Sequence, residues 1–306
     1  MRTLADKANR IEIMIDAKAE LGEGPCWDAE RGRLLWVDIE GFNLHVFDPE
    51  TGRNDTYHIG QYVSAVVPYQ GDEVLVTLAE GFHRLNLANG ELIKLVDPEQ
   101  KKPRNRFNDG KCDPAGRFWA GTMSLDGVQG EGALYCLEPD GRLRMMLDGV
   151  STSNGLGWSL DAATMYYIDT PTRRVDQFDY NLDKGNLAHR RPVIRLTEEM
   201  GYPDGMTMDA EGMLWIAEWG GGRVGRWNPS TGQLMSVIEL PADQVTSCCF
   251  GGAELDELYI TTARSGLSAE RLEETPLAGA LFRVKPGVKG LLSTPYGYAP
   301  GTDLQK

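Results

Sequence analysis

Polar side chains recur at similar points in six apolar segments, each predicted to be the innermost strand of a repeated unit. These rim residues are Glu23, Ser64, Asn108, Asn154, Asp204 and Thr246. Four of the six carry a carboxylate or amide oxygen, which is unusual at the start of a buried strand. Such oxygens are the ligands that hard divalent cations prefer in proteins. If the six segments converge, the rim residues predict a metal site at the mouth of a central channel.

Glycine follows Glu23, Asn154 and Asp204 directly, and it follows Asn108 after one aspartate. Because glycine has no Cβ, it allows backbone segments to pack closely around a crowded centre. The alternative is that these Asn-Gly and Asp-Gly pairs are only turn formers, as such pairs commonly are in isolation. Their recurrence in phase in four of six units favours the site.

The segments that must position these residues belong to a repeat. About 11 to 13 residues after each rim residue lies the anchor of a second strand. The anchors are Trp36, Val76, Trp119, Tyr167, Trp215 and Tyr259. Their period of roughly 40 to 50 residues, with further strand-like segments after each anchor, is typical of four-stranded propeller blades. The sequence therefore predicts an all-β, six-bladed β-propeller, and the competing architecture is a pair of β-sandwiches.

The two ends of the chain predict how the ring closes. The sixth unit runs into the Pro- and Gly-rich segment 291–306 and lacks an outer strand of its own. Segment 11–18 is strand-like but has no partner beside it in sequence. We predict that this N-terminal strand closes the last blade, which would remove exposed sheet edges. We also predict a disordered segment 1–10 and one propeller domain over 11–306.

Composition limits the partners. A net charge of −14 argues against nucleic acid and anionic membrane surfaces, since both are bound through Lys/Arg patches. No apolar run approaches the ~20 residues of a membrane helix, and the first ten residues have no signal-peptide core. We therefore expect a cytoplasmic protein with a small-molecule partner. The five cysteines lack C-x-x-C spacing and predict buried free thiols. The oligomeric state is not predicted.

Five motifs in this order resemble the SMP-30/gluconolactonase family, which includes regucalcin and bacterial sugar lactonases. They are GEGPCWD, RFNDGKCDPAGRFWAGTM, SNGLGWS, MYYIDT and YPDGMTMDAEGMLWIAEWGGGRV. The resemblance implies a six-bladed propeller with one divalent metal ion at the channel mouth. Calcium, zinc, magnesium, manganese and ferrous iron all suit oxygen ligands. By motif, the resemblance implies that Glu23, Asn154 and Asp204 bind the ion.

The same resemblance assigns the substrate contacts. It implies that Arg106 and Asn108 contact substrate, and that Asp126 is the counterpart of a family acidic residue that follows GTM and contacts substrate hydroxyls. Asp126 lies in a loop, SLDGVQGEG, that is shorter than in the animal members. The alternative for Arg106 is a surface ion pair. Segments 124–131 and 265–279 are predicted to be rim loops, the second with a helical turn.

These residues predict a metal-dependent hydrolase that opens sugar lactones such as gluconolactone. The ion would polarise the carbonyl and activate water, with Asp204 as general base. Asn108 would stabilise the oxyanion or orient the water, and Arg106 would bind sugar hydroxyls. Two alternatives stay open: a non-catalytic calcium-binding regulatory propeller and a phosphotriesterase-like hydrolase. Arg106 and Asn108 favour an enzyme, because metal binding alone requires neither.

Overall fold

The computed structural model describes residues 10–298. The segment predicted to be disordered, 1–10, lies outside the described residues except for its last residue. Among these residues, every regular element but three is a β-strand. The exceptions are two short 3₁₀ helices, Thr170–Thr172 and Glu198–Met200, and one α-helix, α1 (Ala269–Glu274). The helical turn predicted within 265–279 is therefore confirmed.

The strands form repeated sets of four along the chain. After β1 (Glu12–Ile15), the first two sets are β2 (Gly22–Asp28), β3 (Arg33–Asp38), β4 (Asn43–Asp48), β5 (Arg53–His58), β6 (Val63–Pro68), β7 (Glu73–Leu78), β8 (Gly81–Asn86) and β9 (Leu92–Val96). The next two are β10 (Asn105–Cys112), β11 (Phe118–Ser124), β12 (Gly132–Leu137), β13 (Leu143–Val150), β14 (Ser153–Trp158), β15 (Thr164–Asp169), β16 (Arg174–Asn181) and β17 (Asn186–Arg195). The last strands are β18 (Tyr202–Met208), β19 (Leu214–Trp219), β20 (Arg223–Asn228), β21 (Gln233–Glu239), β22 (Gln244–Gly251), β23 (Glu257–Ala263) and β24 (Leu281–Val284).

The sheets are antiparallel and propeller-like. Four of them have four strands each, β2 to β5, β6 to β9, β10 to β13 and β14 to β17. The fifth has eight strands and consists of two sets, β18 to β21 and β22-β23-β24-β1. Only the pair Trp219 and Gln244 joins these two sets in register within the described chain. The inner strands β2, β6, β10, β14, β18 and β22 contact one another in that order, and β22 contacts β2.

The last set is completed from the other end of the chain. β1 pairs antiparallel with β24, with Glu12 opposite Arg283 and Ile13 opposite Phe282. Arg283 also forms an ion pair with Glu12. The predicted pairing of the N-terminal strand with the last unit is confirmed. Because β1 pairs with β24, β24 is not an edge strand, and the two ends of the strand order in this sheet are β1 and β21.

The core lies between neighbouring sets and is built by the predicted anchors. All six anchors are almost completely buried, and they include the largest buried side chains, Trp36, Trp119 and Trp215. The five cysteines are buried and free, as predicted. Within residues 10–298, no helix is both long enough and apolar enough to cross a membrane.

Candidate functional site

The six rim residues lie at interruptions of the inner strands. In each strand the regular pairing with its neighbour shifts at or beside the rim residue, for example between Glu23 and Cys26 and between Pro203 and Met206. The same shift occurs in β6, β10, β14 and β22. Such bulges re-aim side chains and free backbone groups from the ladder. The prediction that rim residues begin their strands was wrong by one to three residues, because the strands pair on both sides of the bulge.

Hydrogen bonds from one set to the next hold the rim together. Three rim side chains donate to a carbonyl of the following inner strand: Ser64 Oγ to Phe107 O at 2.6 Å, Asn108 Nδ2 to Ser153 O at 2.8 Å and Thr246 Oγ1 to Gly22 O at 2.5 Å. Each accepting carbonyl belongs to the residue just before another rim residue. The carbonyl before Asp204, that of Pro203, accepts instead from Thr170 Oγ1 at 2.9 Å. These bonds fix the backbone that carries Glu23, Asn108, Asn154 and Asp204.

One cavity collects the side chains predicted to do chemistry. Its volume is about 350 Å³, and its lining includes Glu23, Arg106, Asn108, Asn154 and Asp204. All five are at most 7% exposed. They come from β2, β10, β14 and β18, so widely separated parts of the sequence meet here. The structure thus brings together the three predicted metal ligands and two of the three predicted substrate contacts.

Gly155 permits the close approach of β14 and β18 at this cavity. A Cβ at this position would lie 2.5 Å from Ile168 Cδ1 and 2.8 Å from the carbonyl oxygen of Asp204. Gly157, two residues along the same strand, has its nearest neighbours at 3.8 and 3.9 Å. Of these two glycines, only Gly155, which follows the predicted ligand Asn154, lacks room for a side chain.

Gly155→Ala is expected to destabilise the protein by about 1–3 kcal/mol, because the added methyl group must displace backbone or a packed isoleucine. Gly157→Ala is the matched control and is expected to change stability little. Denaturant midpoints of the two variants measure the difference. Equal midpoints would contradict the close approach.

The orientation of the Asn154 amide follows from its partners. Thr170 Oγ1 donates to the carbonyl of Pro203, so it can only accept from Asn154, at 2.8 Å, and the group facing it must be the NH₂. The amide oxygen therefore points away from Thr170, and it accepts from Asn108 Nδ2 at 3.1 Å. Its second lone pair is available to a cation, which is the orientation a metal ligand requires.

Thr170→Val is expected to weaken metal binding by about 10- to 100-fold, because the hydroxyl that orients the Asn154 amide is lost. Thr172→Val is the control, since the Thr172 hydroxyl bonds to Asp169 O and does not line the cavity. Calorimetric titration of metal into both variants measures the effect. Equal metal affinities of the two variants would show that the Asn154 amide does not depend on the Thr170 hydroxyl for its orientation.

Arg106 is buried at 5% exposure, so the alternative of a surface ion pair is wrong. Its Nη1 donates to Phe107 O at 2.8 Å and to Asn108 Oδ1 at 2.7 Å, and its guanidinium lies 5.7 Å from the ring centre of Tyr62. Nε and Nη2 donate to no atom of residues 10–298, so they are available to a ligand in the cavity. Burial lowers the pKa of Arg106, while the charges of Glu40 and Glu23 oppose that shift.

Two buried carboxylates face the same space. Burial, followed by the charge of Asp109, raises the pKa of Glu23 to about 8. Burial and the charge of Glu23 raise the pKa of Asp204 well above its usual value. Neither carboxylate forms an ion pair within the described residues. The charge of Arg106 opposes both shifts but does not cancel them, so the electrostatics of two like charges in a buried site favour a bound cation.

The donor set fits an oxygen-preferring divalent ion. Within residues 10–298, no group of three or more His, Cys, Asp and Glu side chains is arranged to hold a metal ion. The predicted set differs from such a group because it combines two carboxylates, Glu23 and Asp204, with the amide oxygen of Asn154. That combination is typical of calcium or magnesium rather than of sites built from thiolates or imidazoles.

Metal affinity is expected to rise with pH up to about 8. In the metal-free protein the raised pKa of Glu23 means that this carboxyl holds a proton at neutral pH, and the proton must leave before the oxygen coordinates a cation. Each pH unit below 8 should therefore cost up to about tenfold in affinity per proton released. By linkage, the metal-free protein should lose stability as pH rises from about 4.5 to about 8.

Calorimetry in two buffers of different ionisation enthalpy counts the released protons. Glu23→Gln should reduce that count, and its thermal midpoint should be less sensitive to pH over the same range. Metal binding without proton release at pH 7 would contradict the expectation.

Asp126 is the predicted site residue that the structure does not bring to the cavity. Asp126 lies in the exposed loop after β11, and both of its carboxylate oxygens accept from Arg104, which lies just before β10, Oδ2 from Nε at 3.0 Å. Its predicted contact with substrate stays a prediction, and that contact would require this ion pair to open. Asp126 was matched to the family's acidic residue by its position after the GTM motif. That position does not reveal that the Asp126 carboxylate is already paired with Arg104.

Several lining residues have no counterpart in the sequence prediction, among them Glu40, Thr170, Tyr202 and Trp219. Glu40 and Thr170 lie on connections after second strands, outside the inner-strand pattern. A smaller cavity of about 110 Å³ lies further along the same inner strands. It contains Asp109 and Lys111, whose Nζ donates to Met206 O at 2.6 Å.

The fold and the cavity define an all-β protein with a polar site at the meeting point of its inner strands. Residues 21–264 match the model of the SMP-30/gluconolactonase/LRE-like region. The chain belongs to this family. It is 43% identical over 281 residues to YvrE of Bacillus subtilis (strain 168), a protein named as a sugar lactone lactonase, with 92% of this chain and 96% of YvrE covered.

Regucalcins are also similar along most of their length. The chain is 41% identical over 296 residues to regucalcin of Homo sapiens, with 95% of this chain and 98% of the relative covered. The crystal structure of regucalcin from Agrobacterium tumefaciens, described as a calcium-binding protein, matches with a TM-score of 0.90 at 28% identity, covering 95% of this chain and 97% of that chain.

Proposed function

We propose that this protein is a metal-dependent hydrolase that opens hydroxylated sugar lactones. The observation that carries the proposal is the cavity in which Glu23, Asn154 and Asp204 face Arg106, whose Nε and Nη2 have no protein partner in the described chain. A site that only binds metal needs no such unoccupied donors. A site that binds a substrate with several hydroxyl groups requires them. The lactonase name of the relative from Bacillus subtilis supports the same reaction class.

The proposal includes the architecture. Six four-stranded sets whose inner strands contact one another in order support a six-bladed propeller, with β1 completing the last blade. We propose that residues 11–306 form this single domain. The cytoplasmic location rests on the sequence alone and stays a prediction.

Glu23, Asn154 and Asp204 would hold the divalent ion, which supplies a Lewis acid for a carbonyl and acidifies water. Calcium, magnesium, manganese, zinc and ferrous iron are the candidates. In the reaction, Asp204 takes a proton from the attacking water as general base and returns it to the ring oxygen as the ester bond breaks. Arg106 directs two N–H groups to the substrate hydroxyls and orients the ring.

The hydrogen-bond partners of Asn108 support a more specific role than the one predicted from the sequence. Its NH₂ group is engaged with Ser153 O and Asn154 Oδ1, and its oxygen accepts from Arg106. In this arrangement it positions a predicted metal ligand and a predicted substrate contact relative to each other. We propose that it stabilises the oxyanion only when one of its donors leaves Ser153 O or Asn154.

Purified protein stripped of metal and then loaded with each candidate ion tests the proposal. The expected result is ion-dependent acid release from gluconolactone above the spontaneous rate. Parallel assays with diisopropyl fluorophosphate address a phosphotriesterase-like hydrolase. Metal binding without turnover of either compound would replace the proposal by calcium binding without catalysis, as the description of the Agrobacterium tumefaciens regucalcin as a calcium-binding protein suggests.

A further inference from the structure

The predicted acidic substrate contact, Asp126, is engaged elsewhere, yet the cavity does have an acidic residue at its edge. Glu40 lines it together with Glu23, Arg106 and Asn108. Glu40 lies in the turn between β3 and β4 and is exposed. Within residues 10–298 its carboxylate forms no hydrogen bond and no ion pair, whereas both Asp126 oxygens accept from Arg104. Glu40 is therefore the available acceptor, and Asp126 is not.

The turn that carries Glu40 is held in place. The Asp38 carboxylate accepts from the backbone N–H of Gly41 at 3.0 Å and of Leu21 at 2.9 Å, which ties the turn to the start of β2. Phe42, at the end of the turn, packs edge-on against Tyr62 with ring centres 5.2 Å apart. A turn fixed in this way presents its carboxylate without a large loss of conformational entropy on binding.

Glu40 and Arg106 make a complementary pair across the cavity edge. Tyr62 contacts both sides, since it packs against Phe42 of the Glu40 turn and lies under the Arg106 guanidinium. Arg106 offers three unoccupied N–H donors, one on Nε and two on Nη2, and Glu40 offers acceptors only. A hydroxyl group both donates and accepts one hydrogen bond with ease, so neighbouring hydroxyls on a sugar ring can satisfy both residues at once.

We propose that Glu40, acting with Arg106, accepts hydrogen bonds from substrate hydroxyl groups and makes the site selective for polyhydroxylated over unsubstituted lactones. This inference rests on the proposed lactonase function and names its specificity-determining residue. A bound lactone that covers Glu40 and Arg106 without offering them hydroxyl groups would leave their polar groups unpaired, so the site discriminates against such a substrate.

Glu40→Ala and Asp126→Ala, each assayed with D-glucono-δ-lactone and with δ-valerolactone, test the inference. Glu40→Ala is expected to lower kcat/KM for gluconolactone about 10- to 100-fold, the usual cost of a hydrogen bond to a charged group. It should leave kcat/KM for δ-valerolactone, which has no hydroxyl groups, and the metal affinity within about twofold of the parent values. Asp126→Ala separates the two acidic residues, because a loss on gluconolactone in Glu40→Ala but not in Asp126→Ala assigns the contact to Glu40. Thermal midpoints verify that both variants are folded.

Equal losses on both lactones in Glu40→Ala, or a loss on gluconolactone confined to Asp126→Ala, would overturn the inference while leaving the lactonase function intact. A parent protein that hydrolyses neither lactone with any metal ion would overturn the proposed function, and the inference with it.

Discussion

Asp204→Asn is expected to lower kcat for lactone hydrolysis about 10²- to 10⁴-fold, the usual contribution of a general base. The substitution keeps the shape of the side chain but removes the group that accepts the proton from water. It also replaces a charged oxygen at the predicted metal position by a neutral one. The assay must therefore be run at saturating metal, so that weaker metal binding does not account for the loss.

Asp109→Asn is the matched control for this variant. Asp109 is a buried carboxylate like Asp204, but it lines the smaller cavity and not the one that holds Arg106. Its replacement removes a charge that adds to the effect of burial in raising the pKa of Glu23 and Asp204, and it should reduce kcat far less than Asp204→Asn does. Comparable losses in the two variants, or an active Asp204→Asn enzyme, would argue that Asp204 is not the base.

Removal of the metal ion is expected to abolish turnover and to lower the thermal midpoint. Without a cation, Glu23 and Asp204 are two buried carboxylates that destabilise each other in their charged forms. Adding back an ion at 100 times its Kd should stabilise the folded protein by about 2.7 kcal/mol. Thermal unfolding at pH 8 with and without each candidate ion measures this shift.

Glu23→Gln provides the comparison, because it removes one of the two carboxylates without removing the amide ligand Asn154. Its thermal midpoint should respond to the ion much less than that of the parent protein. A chelated protein shown by elemental analysis to be metal-free, with full activity and an unchanged midpoint, would rule out metal dependence.

The repeat of buried anchors made the sheets predictable. Residues such as Trp36 and Trp119 recur with one period because each unit must bury the same face of its second strand. The positions of the inner strands were less predictable. Whether Asn108 begins β10 or lies within it depends on a bulge against β11, and such a bulge leaves no periodic mark in the sequence.

The residues of the candidate site also fall into those that the sequence predicted and those that it missed. The repeat identified Glu23, Asn154 and Asp204 among six equivalent rim positions, and the resemblance to the family selected these three as metal ligands. Glu40 and Thr170 were missed, since each belongs to a connection between strands and reaches the cavity only through the folding of neighbouring units. Asp126 was chosen by its distance along the chain from GTM, and the competing ion pair with Arg104 is a property of the folded loop.

The pairing of β1 with β24 has a consequence for biosynthesis. The ribosome makes β1 (Glu12–Ile15) more than 260 residues before its partner β24 (Leu281–Val284), so this sheet cannot be completed until β24 has emerged. At roughly 5–20 residues per second, β1 waits on the order of tens of seconds as an unpaired strand. Its small size, four residues including the charged Glu12, limits the chance that it joins another nascent chain in that interval.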